Sequence, residues 1–213
     1  MLGWIIAATA AAANATPPNP CTPASSCRFV QEVSLRDDGG VVHTNSLAQW
    51  VPFISGGKLR LLPGEMVTLK TEGSPSAPVV TAYERLPHAP VDTQLDDLIQ
   101  KRAGDDALGS AEKQHEAVEA KADEIRVYFG QLDNSPQSLL SVSNGYDRAL
   151  SYKAAIPDRS GRLTPTTVCP VLAHGGAIEG WPNPEVTIEL SGFVFTPRGQ
   201  RPVILAECNN SAT

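Results

Sequence analysis

Apolar residues alternate with polar residues on both sides of a turn in the middle of the chain, in the stretch 138–157. The apolar positions are Leu140, Val142, Leu150, Tyr152, Ala154 and Ile156. A spacing of two residues is the period of a β-strand with one buried side. The turn contains Asn144-Gly145, a pair that tolerates the positive φ of tight hairpin turns. The stretch therefore predicts a β-hairpin, and the other apolar runs are expected to pair with it or to pack opposite it.

Short apolar runs separated by turn residues continue along the rest of the chain. About ten such runs with no βαβ spacing are typical of a β-sandwich. Pro63-Gly64 gives one turn, which we interpret as part of a meander, and Gly192 predicts a bulge or a bend between sheets. The runs cover 29–35, 49–54, 58–62, 66–70, 79–83, 125–129, 166–172, 185–190, 193–196 and 202–208. The core is predicted to contain the aromatic residues Trp50, Tyr128, Phe129, Tyr152, Phe193 and Phe195.

The composition changes between residues 91 and 124, where β-branched residues almost vanish. Apolar residues here follow helical spacing behind the capping residue Thr93, and a second helix is expected from Ser110 through Ala122 to Ile125. The segment holds ten carboxylates against four bases, which equals the net charge of −6 of the whole chain. We therefore predict an acidic helical insertion, which is either a recognition element for a basic partner or only a solvated excursion.

The rest of the chain is electrically balanced, with thirteen acidic and thirteen basic residues. Such a balance predicts no basic surface for phosphates. Binding to nucleic acid and to anionic membranes is therefore disfavoured.

The first fifteen residues have the pattern of a signal peptide. An apolar run too short to span a bilayer is followed by small residues that end at Ala15. We expect a periplasmic or secreted protein without a transmembrane segment after cleavage. Its parts would be a tether with a local disulfide at 16–27, a β-sandwich domain at 28–208 and a tail at 209–213.

The chain contains four cysteines, Cys21, Cys27, Cys169 and Cys208. In an exported protein an even number of cysteines favours disulfides over a metal site. Cys21 and Cys27 are close enough in sequence to close a local loop. Pairing of Cys21 with Cys27 and of Cys169 with Cys208 is favoured, although three connectivities are formally possible.

Two turn motifs carry a resemblance to a known class of domain. They are Leu62-Pro63-Gly64-Glu65-Met66-Val67 and the run from Asn144-Gly145 to Ala149-Leu150 and Tyr152. Together they resemble immunoglobulin-like sandwich domains of exported bacterial proteins, over residues 28–208 without the insertion. The resemblance implies a binding or scaffolding module and transfers no catalytic residue.

No catalytic or metal-binding motif is complete in the sequence. His115-Glu116 begins a zinc-protease-like pattern, but Glu119 stands where the second histidine would be needed. His174-Gly175-Gly176 is similar to an esterase oxyanion loop, yet the chain has no GxSxG elbow. His43 and His88 have no cysteine or carboxylate at ligand spacing. We therefore predict no catalytic residue, no metal and no cofactor.

The best candidate binding surface is the segment 173–184, which is interpreted as a loop rich in glycine and proline. Its candidate binding residues are His174, Glu179 and Trp181, because loops on a rigid scaffold often carry recognition. The alternative is that Trp181 folds back and caps the core.

These features predict an exported, non-catalytic binding or structural module of the cell envelope, which recognises a protein or an envelope component. One alternative is a hydrolase or metal-dependent enzyme with a site assembled from His174, Glu179 and either Asp147 or Asp158. Another is a periplasmic chaperone or assembly subunit that completes a partner's sheet through an exposed edge strand. The sequence leaves the oligomeric state open.

Overall fold

The computed structural model describes residues 16–23, 26–71, 76–86, 120–131, 136–158 and 160–202. This part of the chain is mainly β, as predicted, and contains no helix long and apolar enough to cross a membrane. Its strands are β1 (Cys27–Arg36), β2 (Val42–Pro52), β3 (Ile54–Ser55), β4 (Lys58–Leu61), β5 (Glu65–Thr71), β6 (Pro78–Arg85), β7 (Ile125–Gln131), β8 (Ser138–Asn144), β9 (Leu150–Pro157), β10 (Leu163–Thr166), β11 (Gly175–Trp181) and β12 (Ile188–Phe195).

The strands form three antiparallel sheets. β1 and β2 pair only with each other and make a hairpin. One five-stranded sheet, here called the β9 sheet, has the order β10-β9-β12-β4-β3. The other, the β8 sheet, has the order β11-β8-β7-β5-β6.

The two five-stranded sheets contribute side chains to one hydrophobic core. Alternate residues of β7 and β8 from the β8 sheet, including Phe129 and Leu140, are fully buried in the same cluster as Leu150 and Ile188 from the β9 sheet. Burying one such side chain contributes about 1.5–3 kcal/mol. A smaller cluster of Val30, Val33, Leu35 and Leu62 holds the inner face of β1.

The predicted central hairpin is wrong, although both of its strands exist. β8 pairs with β7 and β11, whereas β9 pairs with β10 and β12, so the connection at 145–149 passes from one sheet to the other. Alternation identifies a strand and its buried face but not its partner. The predicted meander is confirmed only in its first half, where β3 pairs with β4. Its second half is wrong, because β4 and β5 on either side of Pro63-Gly64 lie in different sheets.

The glycines at the two predicted turns are both required by the structure, although for different reasons. Gly64 has a φ of 82°, as the Pro-Gly turn requires. Neither Asn144 nor Gly145 has a positive φ, so the predicted hairpin-turn conformation is absent. Gly145 is needed instead because a Cβ there would overlap the carbonyl oxygen of Lys121.

Three further predictions can be compared with the strands. Gly192, with a φ of 61°, lies where the register of β12 against β9 shifts, which confirms the bulge and joins two predicted runs into one strand. In the predicted strand 166–172, only Val171 forms a bridge beyond the end of β10, to Leu150. The run 202–208 lies almost entirely outside the described residues.

Most of the predicted helical insertion at 91–124 also lies outside the described residues. Its last part does not form the expected helix. Residues 121–124 form a turn, and Ile125 is the first residue of β7 and is fully buried.

The contact at Gly145 predicts a large effect of one methyl group. Gly145→Ala should lower the free energy of unfolding by about 3 kcal/mol, because the backbone turn at 121–124 would have to move away. Urea unfolding of the purified chain measures this. Gly176→Ala is the control, because its Cβ would meet only the Val142 carbonyl oxygen at 3.7 Å. Equal effects of the two substitutions would contradict the close contact.

Candidate functional site

The segment predicted as a binding loop is mostly a strand. β11 is an edge strand of the β8 sheet, and Glu179 and Trp181 lie on its inner face. His174 precedes the strand with a φ of 51°, and its backbone N–H donates to the Tyr146 carbonyl at 3.1 Å. The three predicted residues are thus spread along one strand and its start.

Trp181 and Glu179 both make contacts inside the protein. Trp181 packs against the main core, and its Nε1–H donates to Thr166 Oγ1 at 2.9 Å. This geometry agrees with the alternative in which Trp181 caps the core. Glu179 Oε1 accepts the backbone N–H of Cys169 at 2.6 Å. Burial raises the pKa of Glu179, although this hydrogen bond opposes the rise.

The two aspartates considered for a hydrolytic site lie in different places relative to His174. Asp147 accepts from Arg198 Nη2 at 2.7 Å, and it follows Tyr146, which lies beside His174. Asp158 lies beyond the opposite end of β9 and accepts from Ser160 and Arg162 in its own turn. The length of β9, at about 3.3 Å per residue, keeps the two carboxylates well apart.

The structure also places the histidines considered as metal ligands. His43 Nε2 lies 2.7 Å from Asp37 Oδ2 on the surface, and this hydrogen bond lowers the pKa of Asp37. His88 and His115 lie outside the described residues. Within the described ranges no group of three or more histidines, cysteines or carboxylates is close enough to hold a metal ion.

The disulfide between Cys21 and Cys27 is present, with its Cα atoms 5.9 Å apart. It joins the tether to the first residue of β1. Cys169 is also disulfide-bonded, and Cys208 lies outside the described residues.

The outer strands of the two large sheets all carry features that discourage pairing with another chain. β3 is only two residues long, and β10 has four residues including Pro165. β6 is bulged at Thr81 and ends in Glu84-Arg85. β11 carries the inward-facing charge of Glu179. Short length, proline, bulges and inward charges are the usual protections of an edge strand.

β2 differs from these edges. It has eleven residues, VHTNSLAQWVP, without Asp, Glu, Lys or Arg. Its side chains are exposed from Val42 to Gln49, and among the described strands it pairs only with β1. A bulge at Leu47-Ala48, where Ala48 has a φ of 45°, is its one interruption. The part from Val42 to Ser46 is thus an accessible, unprotected edge.

Trp50, near the end of β2, connects this strand to the rest of the chain. Trp50 is only half-buried, so the prediction that it belongs to the core is wrong. Its Nε1–H donates to the Pro17 carbonyl at 2.6 Å. Trp50 also contacts Phe29 of β1 edge to face, with ring centroids 5.6 Å apart. The tether therefore lies against this end of the hairpin.

The hairpin is fixed to both large sheets by Arg28, whose side chain is 3% exposed. Its guanidinium donates to Glu65 Oε1 at 2.9 Å and to Glu65 Oε2 at 2.6 Å. It also donates to the backbone carbonyls of Val51, Pro52 and Arg60. These partners lie on β2, β4 and β5, so one side chain joins the hairpin to the β9 sheet and to the β8 sheet.

Glu65 is fully buried, and its carboxylate oxygens accept two further hydrogen bonds. It accepts the Leu62 backbone N–H at 2.8 Å and the Tyr83 hydroxyl at 3.3 Å. Burial, followed by the negative charge of Glu65, raises the pKa of Tyr83 to about 12. The Arg28 guanidinium lies over the Phe53 ring, 4.7 Å from its centroid.

The free side of β1 is covered by side chains. Gln131 accepts the Arg36 N–H at 2.7 Å and donates to the Arg36 carbonyl at 2.9 Å, as a neighbouring strand would. Arg85 donates to the Glu32 carbonyl. Only the β2 side of the hairpin therefore presents its backbone along an uncovered edge in the described part of the chain.

Sequence reasoning missed both features of this site. The sequence predicted a strand only at 49–54, so the part Val42–Ser46 of β2 was missed as a strand. Whether a strand lies at an edge depends in addition on the sheet order. Arg28 and Glu65 are 37 residues apart, and no local pattern pairs them.

No family model matches this sequence, and neither the curated proteins nor the solved structures contain a match. The function is therefore inferred from the geometry of the chain itself.

The buried ion pair predicts an asymmetric response to substitution. Arg28→Met should lower the free energy of unfolding by about 3–5 kcal/mol, because it leaves the Glu65 charge buried without its partner. The double variant Arg28→Met, Glu65→Leu should recover much of this loss, since no unpaired charge is left. Chemical denaturation of the single and double variants measures the difference. Additive losses would contradict a coupled pair.

Two carboxyl groups predict opposite dependences on pH. Burial raises the pKa of Glu179 in the folded protein above its value in the unfolded chain. Protonated Glu179 therefore contributes stability that is fully present below the unfolded pKa and is lost as pH rises through the folded pKa. Glu179→Gln should therefore become more stable relative to the parent as pH increases from 4 to 7. Urea unfolding at both pH values measures the change.

Glu189 is the matched comparison. Burial raises its pKa, but hydrogen bonds and charges from Arg60 and Lys58 outweigh burial and hold the pKa below its usual value. Its stabilising contribution is present above its unfolded pKa and is lost as pH falls. Glu189→Gln should thus lose stability mainly at neutral pH. The same sign for both variants would contradict the two environments.

Proposed function

We propose that this chain is an exported, non-catalytic binding domain that takes up an extended polypeptide segment as an additional strand along β2. The observation that carries the proposal is the eleven-residue edge of β2, which is exposed and free of charged protection. The disulfide between Cys21 and Cys27 is consistent with an oxidising compartment. The fold would be an immunoglobulin-like sandwich, consistent with two antiparallel sheets around one core.

Strand addition needs a row of unpaired backbone groups of sufficient length. In an antiparallel pair, alternate residues direct both their N–H and their carbonyl away from the partner strand. β2 spans roughly 36 Å at about 3.3 Å per residue, and its bulge leaves Val42–Ser46 as the longest regular part. Each backbone hydrogen bond gained there would contribute about 1 kcal/mol.

The partner is expected to be a different polypeptide and not a second copy of this chain. Two copies would bring together net charges of −6, and like charges slow and weaken association. Because the edge is uncharged, binding to it does not require a partner of a particular charge. A neutral or basic extended segment with small or β-branched residues fits this edge best.

The anchoring by Arg28 gives the edge the rigidity that such binding requires. A flexible hairpin would lose conformational entropy when a partner strand is added. Here one end of the hairpin is held to β4 and β5 through Arg28, and the other end is held to β7 through the Gln131 side chain. The edge is therefore largely organised before binding.

Proline substitution at neighbouring positions tests this function. One of Thr44 and Asn45 directs its N–H outward, and the other directs it to β1. Proline removes the N–H, so Thr44→Pro and Asn45→Pro should differ. Peptides that bind the parent are first selected from a displayed library of random peptides of the same length as β2. The variant that lacks the outward N–H should keep the melting temperature of the parent but should no longer bind these peptides.

The other variant is the internal control, since it breaks the β1–β2 ladder and should lower the melting temperature. Hydrogen exchange of the parent with a selected peptide should show new protection in Val42–Ser46. Peptide binding that survives both substitutions, protection at β6 or β11 instead, or a library that yields no binder would overturn the proposal. A concentration-dependent dimer that both substitutions abolish would indicate a second copy as the partner.

A further inference from the structure

The hydrogen bond at the tip of the β1–β2 hairpin fixes which residues of β2 direct their backbone groups outward. The Asp37 N–H donates to the Val41 carbonyl at 2.9 Å, so this pair next to the turn is hydrogen-bonded. Along an antiparallel ladder, such pairs alternate with pairs whose backbone groups point away from each other. The register assigns three pairs to the second kind. They are Arg36 with Val42, Ser34 with Thr44 and Glu32 with Ser46.

Contacts on the other side of the hairpin agree with this assignment. The N–H and the carbonyl of Arg36 both bond to the Gln131 side chain, and the Glu32 carbonyl accepts from Arg85. The backbone groups of these two β1 residues therefore point away from β2, and those of the residues opposite them point away from β1. An added strand would bond to one row of β2 residues, here called the outward row. It consists of Val42, Thr44 and Ser46.

The side chains of the outward row lie on the solvent face of the hairpin. Val33 and Leu35 of β1 are buried in the small cluster, whereas Ser34 between them is exposed. Successive side chains of a strand alternate between its faces, and directly opposite residues share a face. Thr44, which is opposite Ser34, therefore lies on the solvent face, and so do its two neighbours in the outward row.

Thr44 carries a hydroxyl group that can make a further hydrogen bond. Ser34 Oγ lies 2.8 Å from Thr44 Oγ1, which is a cross-strand hydrogen bond on the exposed face. A hydroxyl can donate one hydrogen bond and accept two, so this contact does not use its full capacity. The Ser46 hydroxyl is turned back toward β1 and donates to the Gln31 carbonyl at 3.5 Å. Thr44 is therefore the residue of the outward row best placed to recognise a polar side chain.

Val42 offers an apolar contact at the next position of the same face. Its side chain is 52% exposed, and a β-branched residue directly opposite would cover part of this surface. The side chains of His43 and Asn45, on the other face of β2, are exposed as well. An added strand would therefore have polar residues at the positions opposite these two.

We propose that the added strand carries a threonine or serine opposite Thr44, whose hydroxyl extends the Ser34–Thr44 hydrogen bond to a third strand, and a β-branched residue opposite Val42. This inference rests on the proposed addition of a strand at β2 and specifies the partner. The partner is an extended segment in which hydroxyl and β-branched residues alternate with uncharged polar residues. A shift of one residue would exchange the two faces of the partner, so the hydroxyl contact also selects the register.

Binding of short peptides to the full chain tests the hydroxyl contact. The peptide Gly-Val-Gln-Thr-Gln-Val-Gly, blocked at both ends, has the proposed pattern and reads the same in both directions. It therefore suits a parallel as well as an antiparallel partner. A second peptide has valine in place of the threonine, which keeps the β-branched shape but removes the hydroxyl. It should bind the parent about fivefold more weakly, because one hydrogen bond is lost.

Variants of Thr44 show whether the two hydroxyl groups contact each other. Thr44→Val should weaken binding of the threonine peptide about fivefold, and this variant should bind both peptides about equally. Thr44→Ser retains a hydroxyl and should retain the preference for the threonine peptide. Thr164→Val is the matched control, because Thr164 is an exposed threonine on the edge strand β10. Melting temperatures check that each variant is folded.

Hydrogen exchange of single backbone amides, measured by NMR, tests the register. The amides of Val42, Thr44 and Ser46 should exchange rapidly in the free chain and become protected when the threonine peptide binds. The amides of His43 and Asn45 are directed to β1 and should exchange slowly with and without the peptide.

The outcomes separate this inference from the proposed function. Protection of β2 with equal binding of the two peptides, or equal effects of Thr44→Val and Thr164→Val, would overturn the hydroxyl contact alone. The same holds if library-selected peptides protect β2 but the threonine peptide does not bind. If no peptide protects β2, the hydroxyl contact and strand addition are both wrong.

Discussion

The Arg28–Glu65 ion pair is the constraint on which the arrangement of the sheets depends. Every N–H group of the guanidinium has an acceptor, and both carboxylate oxygens of Glu65 are occupied. Burying two charges is costly unless such satisfaction is complete. The pair therefore restricts how the β1–β2 hairpin, β4 and β5 can be placed, because a shift of any one of them leaves a buried charge or carbonyl unpaired.

This restriction explains how an exposed hairpin can be rigid without a large core of its own. Only a small cluster around Val30, Val33 and Leu35 holds β1, and β2 contributes little to it. The polar contacts of Arg28 at one end and of Gln131 at the other supply the orientation that apolar packing does not. A strand that is rigid, exposed and uncharged is a hazard for aggregation unless it is used for binding, which is why β2 is the centre of the proposed function.

The β2 edge offers backbone hydrogen bonds with little charge, which is what the proposed addition of a polypeptide strand requires. The turn at 121–124 is held against the end of β8, because the Gly145 N–H donates to the Glu124 carbonyl. This contact also fixes the place where the chain crosses from β8 to the β9 sheet.

The sequence by itself determined the mainly β character of the fold, most strand positions, the Pro63-Gly64 turn, the Gly192 bulge and the Cys21–Cys27 disulfide. These features depend on local properties, namely the period of two, the φ preferences of glycine and proline, and short spacing along the chain. Strand partners, the crossings between sheets, the Arg28–Glu65 pair and the unprotected edge were decided only by the tertiary structure. Each of them joins residues distant in sequence, and alternation records which side of a strand is buried but not which strand lies beside it.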